Sequence, residues 1–131
     1  MRDADYLFRK DLPDTPFEQA VERVTEALGA EGFGVLTSID VRETLRRKLE
    51  VDFKPYTILG ACNPNLAHEA LETDDNIGLL LPCNVVVAGR EEGSEVAIAR
   101  PTSLLAIAHR PEVAPIAALA ETKLRRVYES L

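Results

Sequence analysis

Apolar residues recur at helical spacing in two long parts of the chain. In residues 17–28 they return every three or four positions, and glutamates occupy another face. Thr15, Pro16 and Glu18 precede this pattern with a capping residue, a first-turn proline and a capping-box glutamate. A second apolar stripe follows from Val113. The spacing therefore predicts an N-terminal helix that opens at Thr15 and a long C-terminal helix over 113–130.

Runs rich in apolar and β-branched residues predict the strands of a sheet. They lie at 6–9, 33–39, 56–62, 77–81, 84–89 and 95–100. The turn residues 91–94 join the last two strands in an antiparallel hairpin. Asp40 and the pair Asn63-Pro64 are typical helix starts, and they predict two further helices, the second ending near Thr73. This order of elements indicates an α+β fold with a mixed or antiparallel sheet.

Several of these strands are apolar on both faces. Ile58 lies beside Leu59, and Val86 lies between Val85 and Val87. A sheet with one wet face would alternate polar and apolar residues. Either helices cover both faces, or one face closes against a second subunit or a ligand. We favour a second copy of the chain and predict a homodimer.

Length and charge narrow the classes of function. The 131 residues fit a single domain, 1–131, with no internal repeat or Gly/Ser-rich linker. The net charge of −7 disfavours nucleic acids and anionic membranes, which attract basic proteins. No apolar run approaches the ~20 residues of a membrane span, and the charged N-terminus differs from a signal peptide. We therefore expect a cytoplasmic protein that binds neither nucleic acid nor membrane.

The chemically unusual residues are concentrated in two blocks. One block runs over 56–68 and contains Cys62, Asn63 and His68, and the other runs over 78–87 and contains Cys83 and Asn84. Each cysteine stands at the end or start of an apolar run and is followed by asparagine. The separation of the cysteines does not match the close paired spacing of a zinc finger.

Both blocks resemble the family known as domain of unknown function 302. The residues that carry the resemblance are Gly32-Phe-Gly-Val35, Tyr56 to Pro64, Leu66-Ala67 and Leu80 to Val87, and the likeness extends over about 17–101. The resemblance implies a small α+β domain similar to the TATA-binding-protein-like folds. In such folds helices pack on one face of a curved, mainly antiparallel sheet. It implies no activity, substrate or cofactor, and a shared fold carries no nucleic-acid function with it.

Three hypotheses follow for these blocks. In the first, the protein is a non-catalytic small-molecule or protein-binding module, whose ligand lies around Cys62, Asn63, Cys83 and Asn84. The simplest interpretation of these residues is structural: Asn63 caps its helix, and both cysteines are small buried hydrophobes. A more specific variant has the two amides and the helix N-terminus bind a small anion. No cofactor is indicated, since no dinucleotide, phosphate-loop or His-Glu-x-x-His motif is present.

The two other hypotheses use the thiols directly. A redox protein or enzyme would use Cys62 or Cys83 as a thiolate, activated next to a helix N-terminus. A metal-binding module would combine Cys62 and Cys83 with His68, because thiolate and imidazole suit zinc or copper. We rank the non-catalytic homodimeric binding module first.

Overall fold

Five antiparallel strands form one sheet in the computed structural model, which describes residues 4–131. They are β1 (Leu7–Leu12), β2 (Gly34–Asp40), β3 (Tyr56–Cys62), β4 (Cys83–Gly89) and β5 (Ser94–Ala99). Their order across the sheet is β1-β5-β4-β3-β2, so β1 and β2 are its edges. The antiparallel α+β fold is confirmed, and β4 and β5 pair as the expected hairpin.

The helices are α1 (Phe17–Ala30), α2 (Val41–Leu49), α3 (Pro64–Thr73), α4 (Pro101–Leu105) and α5 (Ala114–Ser130). The main core joins one face of the sheet to α1 and α5, because their apolar stripes meet the inward side chains of the strands. It includes Val24, Leu28, Leu59, Val85, Val96 and Leu124. Within residues 4–131, none of the helices combines the length and apolar character of a membrane span.

Two predicted helix caps are confirmed. The Asp40 carboxylate accepts a hydrogen bond from the Glu43 backbone N–H at 2.9 Å and opens α2. The Asn63 side-chain oxygen accepts one from the Leu66 N–H at 3.3 Å and opens α3. Such caps satisfy N–H groups that have no partner inside the helix. The cap of α3 also fixes the direction in which the chain leaves β3.

The predicted cap of α1 is wrong. Helix α1 starts at Phe17 after Pro16, and no side chain caps it. The Thr15 hydroxyl instead accepts a hydrogen bond from Arg23 Nη1 at 2.9 Å. Pro16 takes the position next to the helix, with φ −58° and ψ 153°, and so leaves Thr15 one residue too early to cap.

The strand predicted over 77–81 is also wrong. Residues Asp75–Leu80 form a 3₁₀ helix, which the Asp74 side chain opens by accepting from the Asn76 N–H at 2.9 Å. Ile77 is fully buried in a second, smaller core with Ala70, Leu105, Val113 and Ala117. A short apolar run cannot by itself distinguish a strand from a buried helical turn.

No pattern in the sequence indicated the five-residue helix α4. It is fastened to α5 by the buried carboxylate of Glu121, which accepts hydrogen bonds from the Thr102 N–H at 3.1 Å and Arg100 Nη2 at 3.0 Å. Burial tends to raise the pKa of Glu121, but the bonds from Thr102 and Arg100 outweigh it and lower that pKa. The role of this carboxylate is therefore structural, because its hydrogen bonds join α4 to α5.

The second face of the sheet is only partly covered. Leu59 and Val85 point into the core, so alternation places Ile58 and Val86 on the opposite face, where both are half-buried. Helix α2 follows the edge strand β2 and contributes no buried residue. The apolar residues of these strands are thus buried in the core on one face and half-buried on the other. The homodimer stays a prediction.

Candidate functional site

A small apolar cleft lies where β3 ends and β4 begins. Cys62 and Cys83 stand at these strand ends, and α3, α4 and α5 close the cleft from the side. Its other walls are mostly apolar and include Phe33, Ala61, Leu66, Leu105, Ile116 and Ala120. The space inside is about 30 Å³, close to the volume of one water molecule. Among residues 4–131, no charged side chain lines it.

The two cysteines are neighbours at this end of the sheet. Cys83 pairs with Ala61 in the β3–β4 ladder, so Cys62 follows one position further along the adjacent strand. Both are half-buried free thiols. Burial, with a smaller contribution from the nearby Cys62, raises the pKa of Cys83 to about 11. At neutral pH the Cys83 side chain is therefore a protonated, weakly polar wall of the cleft.

This protonation state predicts slow alkylation of Cys83. In a Cys62→Ser variant, we expect iodoacetamide to react at pH 7 up to about 100-fold more slowly than with an unperturbed thiol, because burial, the larger of the two causes that raise the pKa from 9.0 to about 11, remains. The rate should still be rising with pH at pH 10. Mass spectrometry of quenched samples measures it. A rate plateau reached below pH 8 would contradict the assignment and restore the thiolate hypothesis.

The four residues predicted to bind a ligand do not all meet. Cys62, Asn63 and Cys83 line the cleft, but Asn84 does not. Asn84 is exposed, and since Val85 points into the core, alternation along β4 places Asn84 on the opposite face. The Asn63 amide oxygen is used as the cap of α3. An anion in the cleft would therefore meet one amide and no cationic side chain.

His68 does not join the cysteines. It lies on the exposed side of α3, where its Nε2 is 3.0 Å from Oε1 of Glu72 one turn later. Among the residues described, 4–131, no group of three His, Cys, Asp or Glu side chains is placed to hold a metal ion. The ligand set of the metal hypothesis is thus not assembled.

Sequence reasoning missed most of the wall of the cleft. Ala67 and Ala70 come from α3, Leu105 from the unpredicted α4, and Ile116 and Ala120 from α5. The helical spacing of the alanines was a signal for close packing against a neighbour, because small side chains leave room between helices. This spacing did not show which helix would pack there, since that depends on contacts between residues far apart in the chain.

Comparison with known proteins decides the family. The model of the family described as "Domain of unknown function DUF302" matches residues 8–131. The chain belongs to the DUF302 family. The match covers the long C-terminal helix as well, and so extends beyond the 17–101 over which the sequence blocks carried the resemblance.

A solved structure supports the same conclusion for the fold. The crystal structure of an uncharacterized conserved DUF302 protein from Bacillus stearothermophilus is similar to this DUF302 chain, with 33% identity and a TM-score of 0.88. The alignment covers 97% of this chain and 98% of that one. No match was found among proteins of curated function. The family and the fold are therefore shown, and the function has to be argued from the DUF302 cleft itself.

Proposed function

We propose that this DUF302 protein is a non-catalytic binding module that takes a small apolar molecule into the cleft between Cys62 and Cys83 and acts as a homodimer. The observation that carries the proposal is the composition of the cleft. Apolar walls with a few weakly polar groups are typical of sites that bind small molecules by desolvation. Here the residues of the lining that carry polar side chains are Cys62, Asn63 and Cys83.

The same lining argues against catalysis. Acid–base chemistry needs a titratable group within hydrogen-bond reach of the substrate. In the part of the chain that the structure describes, no carboxylate, imidazole or amine lines the cleft. Glu121, which follows the cleft residue Ala120 on α5, is bound to Arg100 and Thr102. Because the raised pKa of Cys83 keeps its thiol protonated, that residue is a poor nucleophile as well.

The cleft must widen to take a ligand, because about 30 Å³ holds little more than a water molecule. Its outer wall contains Leu105, the last residue of the short helix α4, followed by the 3₁₀ turn Ala106–Ala108. The bonds to Glu121 hold the N-terminal end of α4 at Arg100 and Thr102. We therefore expect its C-terminal end at Leu105 to be the part of the wall that moves. Binding would select the conformations in which this wall stands open.

Filling the cleft should abolish binding. We expect benzene or 1-hexanol to shift the amide NMR signals of Ala61, Ala70 and Cys83 in the wild-type protein. Ala67→Leu places three additional carbons at the wall of the cleft, and the apparent Kd should rise at least about 10-fold, the loss expected when added methylenes occupy the ligand's space.

Ala118→Leu is the matched control. Ala118 is an exposed residue of α5 that does not line the cleft, and this variant should bind both probes as the wild type does. If the probes shift no cleft signals in the wild type, or if both leucine variants bind equally well, the cleft is not the binding site.

The homodimer is the second half of the proposal. The half-buried Ile58 and Val86 on the second face of the sheet support it, together with the uncovered edge at β2. Light scattering at 10 µM protein should give twice the mass of one chain. A mass of one chain at that concentration would overturn this half and leave the cleft unaffected.

A further inference from the structure

The two edges of the sheet differ in how they are protected. β1 carries Arg9, Lys10 and Asp11, and charged side chains are a common means of preventing edge-to-edge association. β2 has Asp40 as its one charged residue, at its very end, and apart from the half-buried Val35 its residues are exposed. The β2 edge is therefore the one that remains open to a partner.

Exposed apolar side chains are concentrated in the segment of the chain that contains this open edge strand and α2. Five of the ten exposed large hydrophobic residues in the part of the chain described fall within the 18 residues 36–53. We call them the β2–α2 surface, and they are Leu36, Ile39, Leu49, Val51 and Phe53. Ile39 is 47% exposed and Leu49 64% exposed. A concentration of this kind is typical of an interaction site rather than of the scattered apolar residues of an ordinary surface.

The charge of this region favours a second copy as the partner. Residues 34–53 contain four acidic and four basic side chains and are neutral, so the rest of the chain carries the whole net charge of −7. Two copies that meet through this neutral region avoid the like-charge repulsion that acidic regions such as 54–99 would add. A partner for this surface should itself present apolar side chains among charges of both signs. The same surface on a second copy of the chain does so.

The order of charges is also self-complementary. Asp40 and Glu43 lie at the start of α2, and Arg46, Arg47 and Lys48 lie in its last turn. A two-fold axis that sets two α2 helices antiparallel brings the acidic end of each to the basic end of the other. Glu43 already pairs with Arg46 and Arg47 within one helix. The charges should therefore determine how the two copies are oriented more than how tightly they bind.

We infer that a second copy of the chain binds through the β2–α2 surface, with the two α2 helices antiparallel about a two-fold axis. The inference rests on the homodimer of the proposed function and names its interface. The cleft lies elsewhere, because Cys62 pairs with Gly34 at the opposite end of β2 from Ile39. Ligand binding and dimerisation are therefore separable by mutation.

Charged substitutions in the β2–α2 surface should dissociate the dimer. We expect Ile39→Asp and Leu49→Asp each to raise the dimer dissociation constant at least about 100-fold, because each places a charge in a desolvated contact. Light scattering over 1–100 µM measures the constant. Leu49 belongs to neither of the two hydrophobic cores and is 64% exposed, so its variant should keep the far-UV circular dichroism of the wild type even if Ile39→Asp does not fold.

Leu119→Asp is the control, since Leu119 is an exposed apolar residue of α5 outside this surface. It should remain dimeric. If the wild type is dimeric and Leu49→Asp remains so, the interface is elsewhere while the homodimer stands. If Leu119→Asp alone dissociates, the interface lies on the helical side. A monomeric wild type overturns both the homodimer and this interface.

Discussion

Replacing Phe33 by alanine is expected to lower the free energy of unfolding by about 3–5 kcal/mol, the range for truncating a buried aromatic side chain. Phe33 is 2% exposed and packs in the main core just before β2. It also lines the cleft, so its removal would join the lost volume to a space that already exists. The cost depends on how far the neighbouring helices can close this space, and their packing on the sheet restricts that movement.

Urea unfolding followed by circular dichroism measures this loss. Leu79→Ala is a suitable control, because Leu79 is 87% exposed on the 3₁₀ helix and its truncation should change stability by less than about 0.5 kcal/mol. A loss for Phe33→Ala below about 1.5 kcal/mol would mean that the wall of the cleft adapts far more easily than the packing indicates.

Replacing Gly93 by alanine is expected to cost at least about 3 kcal/mol, because two effects add: a left-handed backbone and a steric overlap. Gly93 has φ +75° in the turn between β4 and β5. A Cβ atom there would lie 2.3 Å from the Leu12 carbonyl oxygen and 2.4 Å from that of Pro13. Both neighbours are backbone atoms at the end of β1, so relief requires the β1–β5 pairing to shift.

Gly29→Ala provides a matched comparison in the same assay. Gly29 lies in α1, and a Cβ atom there would have nothing within 4 Å. Its replacement should stabilise the protein by about 0.5–1 kcal/mol, since glycine is a poor helix former. Equal changes in the free energy of unfolding at the two positions would contradict the steric overlap of a Cβ atom at Gly93 with the end of β1.

Elements with strong local signals could be predicted from the sequence. β3 was predicted over the residues that it occupies, and the caps at Asp40 and Asn63 hold. A cap or a first-turn proline acts on the next few residues alone, so its effect is independent of the rest of the fold. The prediction for Thr15 was wrong because the helix begins one residue later than expected, so that Pro16 and not Thr15 holds the N-cap position.

Elements that depend on distant contacts could not be predicted in this way. The 3₁₀ helix Asp75–Leu80 is fixed by the burial of Ile77 against α4 and α5, and α4 itself is fixed by Glu121. The cleft could not be predicted for the same reason, because two of its walls come from α4 and α5, which are remote in sequence from Cys62 and Cys83. The separation of Asn84 from Cys83 was open to prediction, since alternation along a strand sends neighbouring side chains to opposite faces.

The central claim is that the cleft at the ends of β3 and β4 receives an apolar molecule. The most direct measurement is a crystal structure of this DUF302 protein under xenon pressure, since xenon enters apolar cavities without requiring hydrogen bonds. The account predicts a xenon atom between Phe33, Ala70 and Cys83. Xenon absent from the cleft while occupying other sites in the same crystal would contradict it.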